Sequence, residues 1–227
     1  MLTRIEEDRI EAAVAKAEDA TTGEILVVLA NEVSRYREVP LAWAAALSLA
    51  VPPIVLSLSL SPLTDLTSDL WLVGQMGALQ SELGMAIGLY AAAQIILFLV
   101  VLAIVHIPAV RRRLTPRALK RHRVANAAHH QFVSISVRAR ASDTGVLIFV
   151  ALEDRQVQIL ADAGIHQKCG EAPWARAAEA ITSAMKAGDD PTAGIIEAVN
   201  ICGQALGEHF PSPGPREHAF STRPLEV

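Results

Sequence analysis

The sequence predicts an α/β domain interrupted by an inserted two-helix transmembrane hairpin. Three observations carry that expectation. Thr144 to His166, TGVLIFVALEDRQVQILADAGIH, reads as two strands joined by a tight turn. A helix followed by a strand fills the start of the chain, the opening of an α/β domain but too short to be one. Between these pieces lie two uncharged runs, Leu41–Leu60 and Leu83–Ile107, each long enough as a helix to cross a bilayer core.

In chain order, Thr3 and Glu6 form a capping box, in which hydroxyl and carboxylate satisfy early helix N–H groups reciprocally. The helix runs to about Ala17, with Ile10, Ala13, Val14 and Ala17 at helical spacing on one face. Thr21-Thr22-Gly23 breaks it, and Glu24–Ala30 reads as a strand buried on both faces. This first part of the domain spans residues 1–36. Residues 41–60 are the first span, kinked at Pro52-Pro53 as a span tolerates. Residues 61–82 are a polar loop with acids and no Lys or Arg, and 83–107 the second span. Residues 111–210 complete the domain. Thr115-Pro116 starts a helix whose apolar side is marked by Ala118, Ala125, Ala128, Phe132 and Ile135. Gly145–Leu152 is a continuous apolar strand, and Gln156–Ala161 alternates like a strand nearer an edge, antiparallel to it. The strand at Glu24 and the strand at Gly145 are expected to be parallel. Trp174, Ala177, Ala178, Ile181 and Met185 form one helical stripe, and Gly188 ends that helix. Asp190-Pro191 opens the last helix, with stripe Ile195, Val199, Cys202 and Leu206. The proline-rich residues 211–227 are expected to be a disordered tail.

Composition agrees. Apolar residues make up 52% of 227, an excess that is concentrated in the two uncharged runs. Aromatics, at 4%, are too scarce for a base-stacking surface, so nucleic acid is not an expected partner. Cys169 and Cys202 make no disulfide framework and suit a reducing compartment. The charged, helical N-terminus is not a cleavable signal. The net charge of −4 hides an asymmetry: Arg111–Arg140 holds bases and no acid, whereas Ala141–Phe210 is strongly acidic. Basic residues flank both spans on one side and the loop has none, so the positive-inside rule places both termini in the cytoplasm and the loop outside. The expected location is a plasma membrane, and the resemblance given below implies a bacterial inner one. Arg111, Arg112, Arg113, Arg117, Lys120, Arg121 and Arg123 are the candidate membrane-surface contacts, each worth about 1 kcal/mol near anionic lipid.

The expected strand directions group the acids. Glu24, Asp143 and Asp162 fall on one rim of the sheet, Glu153 and Asp154 on the other, and Asp189 and Asp190 between the last two helices. Clustered carboxylates can hold a hard cation, calcium or magnesium, or supply acid–base pairs. The plainer alternative makes Asp143 and Asp190 turn and cap residues and Glu153-Asp154 a solvated turn. His166-x-x-Cys169, with His122, His129 and His130, leaves a zinc ligand set incomplete. No Walker loop, G-x-S-x-G or H-E-x-x-H occurs.

The segment TGVLIFVALEDRQVQILADAGIH, the following helix with Trp174, and AGDDPTAGIIEAVNICGQAL resemble the TPM-domain family. TTGEILVVLA resembles its first strand and Ala125–Phe132 its second helix. The family includes thylakoid-lumen acid phosphatase-like proteins, photosystem II repair factors and bacterial membrane proteins. The resemblance implies a compact α/β/α sandwich with acids near one sheet rim, sometimes occupied by a divalent cation. Glu24, Asp154, Asp162 and Asp189 stand where the family places its acids. A cytoplasmic domain and an inserted hairpin depart from the plant and cyanobacterial pattern. Two functions are therefore expected as alternatives. One is a membrane-anchored binding or assembly module with a membrane-protein partner. The other is a divalent-metal-dependent phosphohydrolase, phosphatase-like by resemblance only.

Overall fold

Thr3 accepts the backbone N–H of Glu6, and the Glu6 carboxylate reaches back to the Thr3 N–H, so the expected capping box opens helix α1 (Arg4–Glu18). A computed structural model of the chain describes residues 3–31, 33–34, 36–59, 76–138, 145–188, 190–212 and 224–226. The chain divides into two compact units, Met1–Arg35 with Arg117–Val227, and Tyr36–Pro116. The first is thus assembled from chain segments on either side of the second.

In the first unit, strand β1 (Glu24–Ala30) runs parallel to β2 (Gly145–Ala151), in register from Glu24 opposite Gly145 to Ala30 opposite Ala151. Strand β3 (Gln156–Ala161) is antiparallel to β2 at the sheet edge, as its alternation predicts. Side chains alternate across a strand, so one register divides the core into two. Ile25, Val27, Leu29, Val146, Ile148 and Val150 face one side and pack with Ile10 and Val14 of α1. The same layer holds α7 (Ala172–Ala187), through Trp174, Ala177, Ile181 and Met185, and α8 (Pro191–His209), through Ile195, Val199, Cys202 and Leu206. Leu26, Val28, Leu147 and Phe149 face the other side, under Val124 and Ala128 of α5 (Arg117–Arg138). The result is an α/β/α sandwich. Strands covered on both faces need apolar residues at every position, which is why β1 and β2 read as continuous runs. Each fully buried Val, Leu or Ile side chain contributes about 1.5–3 kcal/mol.

One stripe differs from expectation. Ala118 of α5 is exposed, and Val124, Ala128 and Phe132, spaced four apart, make its contact with the sheet. Alanine at 118 carries too little apolar area to set the helix's rotation against a valine that can be buried. A buried carboxylate also escapes the sequence pattern: Glu18, only 6% exposed, accepts the Ile25 N–H at 2.9 Å and fixes the start of β1. Thr21 donates its hydroxyl to the Phe210 carbonyl at 2.7 Å, tying the α1–β1 turn to the end of α8. Of the tail, residues 211–212 and 224–226 are described. Leu225–Glu226 forms a short strand, β4, parallel to β1, and Ser212 donates its N–H to Ala20.

The second unit contains α2 (Glu38–Ser59), α3 (Met76–His106) and the short α4 (Pro108–Leu114). Helices α2 and α3 pack on each other as a hairpin, and the Trp43 indole donates to the Leu114 carbonyl at 3.3 Å. Both helices are long and apolar enough to cross a membrane. Only 6% of the apolar window Ile87–His106 is buried, where a core helix of a soluble protein would be mostly buried. Ile87, Leu89, Ile95 and Ile96 point outward, each more than half exposed.

Candidate functional site

Glu24 is the first residue of β1 and stands opposite Gly145, the first residue of β2. Asp162 follows β3 and caps α6 (Ala163–Cys169) through its carbonyl, which accepts Ile165 and His166 N–H at 3.0 and 2.9 Å. Its backbone N–H donates to the Gly145 carbonyl at 3.0 Å, and its carboxylate accepts the Gly145 N–H at 2.7 Å. The expected rim therefore exists for two of its acids, Glu24 and Asp162, which flank one glycine on adjacent strands. A side chain at 145 would come within 3.3 Å of the Asp162 carboxylate, so glycine leaves room for this bond. The third rim acid, Asp143, and also Asp189, lie outside the described residues.

Two carboxylates, one already used on a backbone N–H, fall short of the six to eight oxygens that calcium takes. Among the described residues no group of three His, Cys, Asp or Glu converges to hold a metal ion. Among the described residues this rim supplies two carboxylates, those of Glu24 and Asp162.

Asp154 lies in the β2–β3 turn at the other end of the strands, and it is not a solvated turn residue. It is 7% exposed and pairs with Lys120 of α5 at 3.6 Å. Lys120, its side chain 13% exposed, is thereby turned to the domain interior. Arg111, Arg112 and Arg113 lie on α4, and Arg117, Arg121 and Arg123 on α5, where the last three are exposed. Asp190 has the cap role anticipated for it. Its carboxylate accepts the Thr192 N–H at 2.9 Å and stands 3.5 Å from Arg9. The hydrogen bonds from Thr192, with a smaller contribution from Arg9, hold it below the usual carboxylate range.

Two recesses border β3. On the α5 side a cleft of about 530 Å³ is lined by Arg121, His122, Gln156 and Gln158, with Thr182 at its far wall. On the α7 side a second, of about 350 Å³, is lined by Ile159, His166, Glu171, Trp174, Ala175 and Ala178. The Trp174 Nε1–H at this wall is buried and has no hydrogen-bond partner among the described residues. The sequence marks β3 as a strand nearer an edge but not as a candidate site. Its available signal is a six-residue strand with glutamines at alternate positions and no charge.

Residues 112–205 match the family model of the TPM domain. No curated protein matches the chain. Among solved structures, it is similar to the NMR structure of the BA42 protein from the psychrophilic bacterium Bizionia argentinensis. That alignment covers 100% of this chain and 96% of the other, with 18% identity and a TM-score of 0.56, a likeness of fold. The α5–β2–β3–α6–α7 succession and most of α8 lie inside the segment that matches the TPM-domain model.

Proposed function

We propose that this protein is a membrane-anchored binding or assembly module for a membrane complex, with its TPM domain and both termini on the cytoplasmic side of a bacterial inner membrane. The observation that carries the reading is how the candidate acids are used. Asp162 holds Gly145 and starts α6, and Asp154 closes a buried pair with Lys120, so both serve the fold. What remains for function is surface: the basic run and the clefts along β3. The asymmetry of basic flanks around the two apolar helices supports the orientation.

The test is extraction in mild detergent followed by affinity isolation at low and high salt. A stoichiometric membrane-protein partner that is retained at low ionic strength and released at high salt is expected. Recovery of no partner across several detergents would overturn the reading.

A second reading, a divalent-metal-dependent phosphohydrolase, draws support from the placement of Glu24 and Asp162 on either side of Gly145. It requires calcium or magnesium to raise the melting temperature by mass action, an effect that Asp162→Asn must abolish. The structural use of Asp162 favours the opposite outcome, no shift at millimolar ion.

A further inference from the structure

We propose that the outer edge of β3 receives an extended peptide segment of a partner, one in which acidic residues alternate with apolar ones, as an added strand of the sheet. The inference rests on the binding-module reading and specifies its surface. The Asp162 N–H bonded to the Gly145 carbonyl identifies that pair as a hydrogen-bonded one. Bonding alternates along an antiparallel ladder, so Gln156, Gln158 and Leu160 bond inward to β2. The N–H and C=O groups of Val157, Ile159 and Ala161 then point away from the sheet, and among the described residues no strand lies beyond them. Edge strands of natural proteins are ordinarily guarded by lysine, proline, a bulge or a cover. This one has neither charge nor proline in its six residues. The opposite edge of the same sheet already takes a short extended segment, β4.

The two clefts supply the side-chain code. Successive side chains of an added strand would enter them alternately. The α5 cleft presents Arg121 and His122 beside the glutamine amides, a lining that selects carboxylates. The α7 cleft presents Trp174, Ala175 and Ala178, a lining that selects apolar groups of moderate size, with His166 and Glu171 at its border.

The test uses the full-length protein in detergent micelles and short fluorescent peptides with blocked ends, read by anisotropy. A peptide alternating glutamate and valine is expected to bind saturably, and one alternating lysine and valine at least about tenfold more weakly. N-methylation of one alternating set of residues abolishes binding while methylation of the other set is tolerated, since only one edge of an added strand faces β3. Arg121→Glu, an exposed position, weakens the glutamate peptide about tenfold with an unchanged melting temperature. Ala161→Pro removes an outward N–H without removing a ladder bond and weakens both charge forms of the peptide alike. Equal tolerance of both methylated sets, indifference to Arg121→Glu, or no saturable binding would overturn the inference. If a partner then still co-purifies with wild type and with both variants, the binding module stands and this edge is not its surface. If wild type retains no partner either, both fall together.

Discussion

Three glycines on α8 allow the packing of the first unit to be tested with one substitution repeated. A Cβ at Gly203 would stand 2.6 Å from the Ala17 Cβ and 3.2 Å from its Cα, on the neighbouring α1. At Gly194 it would meet the Ala184 Cβ at 2.9 Å and the Ile181 Cα at 3.0 Å, on α7. At Gly207 the nearest atom is the Ala20 carbonyl oxygen at 3.6 Å, an ordinary contact. Alanine gains about 0.8–1 kcal/mol over glycine in helix propensity at all three. Forcing a methyl group into a filled interface costs about 1–3 kcal/mol, because optimal carbon contacts lie near 3.5–4.0 Å. The sum makes Gly203→Ala destabilising by up to about 2 kcal/mol and Gly194→Ala by a similar amount, with Gly207→Ala stabilising by about 0.5–1 kcal/mol. Urea unfolding of the detergent-solubilised protein, compared at equal slope, reads these differences as shifts in midpoint. The double variant Ala17→Gly with Gly203→Ala recovers only part of the loss, since the Ala17 backbone is itself close, and a double-mutant cycle isolates that coupling. A Gly203→Ala protein as stable as Gly207→Ala would refute the close approach of α1 to α8.

Lys120→Met removes the cation paired with the buried Asp154 carboxylate and costs about 2–3 kcal/mol by the same assay, less than for a fully buried pair because Lys120 retains some solvent contact. Adding Asp154→Asn to that variant returns most of it. Asp190 is held below its ordinary value in the folded protein, so the folded state binds its proton less readily than the unfolded chain. Its contribution is therefore present above the unfolded value of about 3.9 and is lost as pH falls through the folded one, and Asp190→Asn removes this part of the acid dependence in melts below about pH 5. Burial pushes the Cys202 thiol up to about 12, and burial with the nearby Glu208 raises Cys169 as well. Thiol reagents at neutral pH thus modify Cys169 slowly and Cys202 only after denaturant is added, as mass spectrometry of each cysteine peptide reads directly.

The strands, their directions and the helix stripes were legible because both core faces of β1 and β2 must be apolar and because α7 and α8 each bury one clean stripe. Parallel pairing of β1 with β2 followed from the helix that precedes β2, since a strand–helix–strand crossover is normally parallel. The rotation of α5 was not legible. Its apolar residues are mostly alanines, whose small area leaves several orientations nearly equal until Val124 meets the sheet. The acids were legible as positions but not as roles. Asp154 reads as a polar turn, and only the partner 34 positions earlier, Lys120, turns it into an interior charge. Glu18 gave no signal, because a buried carboxylate that accepts one backbone N–H looks in sequence like any glutamate at a helix end. The β3 clefts depend on how far α5 and α7 stand from the edge, a distance that no local pattern encodes.

The division of the first unit between two chain segments has a consequence for biosynthesis. When β1 leaves the ribosome its parallel neighbour has not been made, and the whole of α2 and α3 must be synthesised before β2 exists. Until then Ile25 to Ala30 is an apolar segment with no sheet to join. Completion of the domain thereby becomes contingent on handling of the apolar helices: a nascent chain whose hairpin lodges elsewhere leaves β1 and β2 apart. Such a chain exposes two aggregation-prone strands and is open to proteolysis.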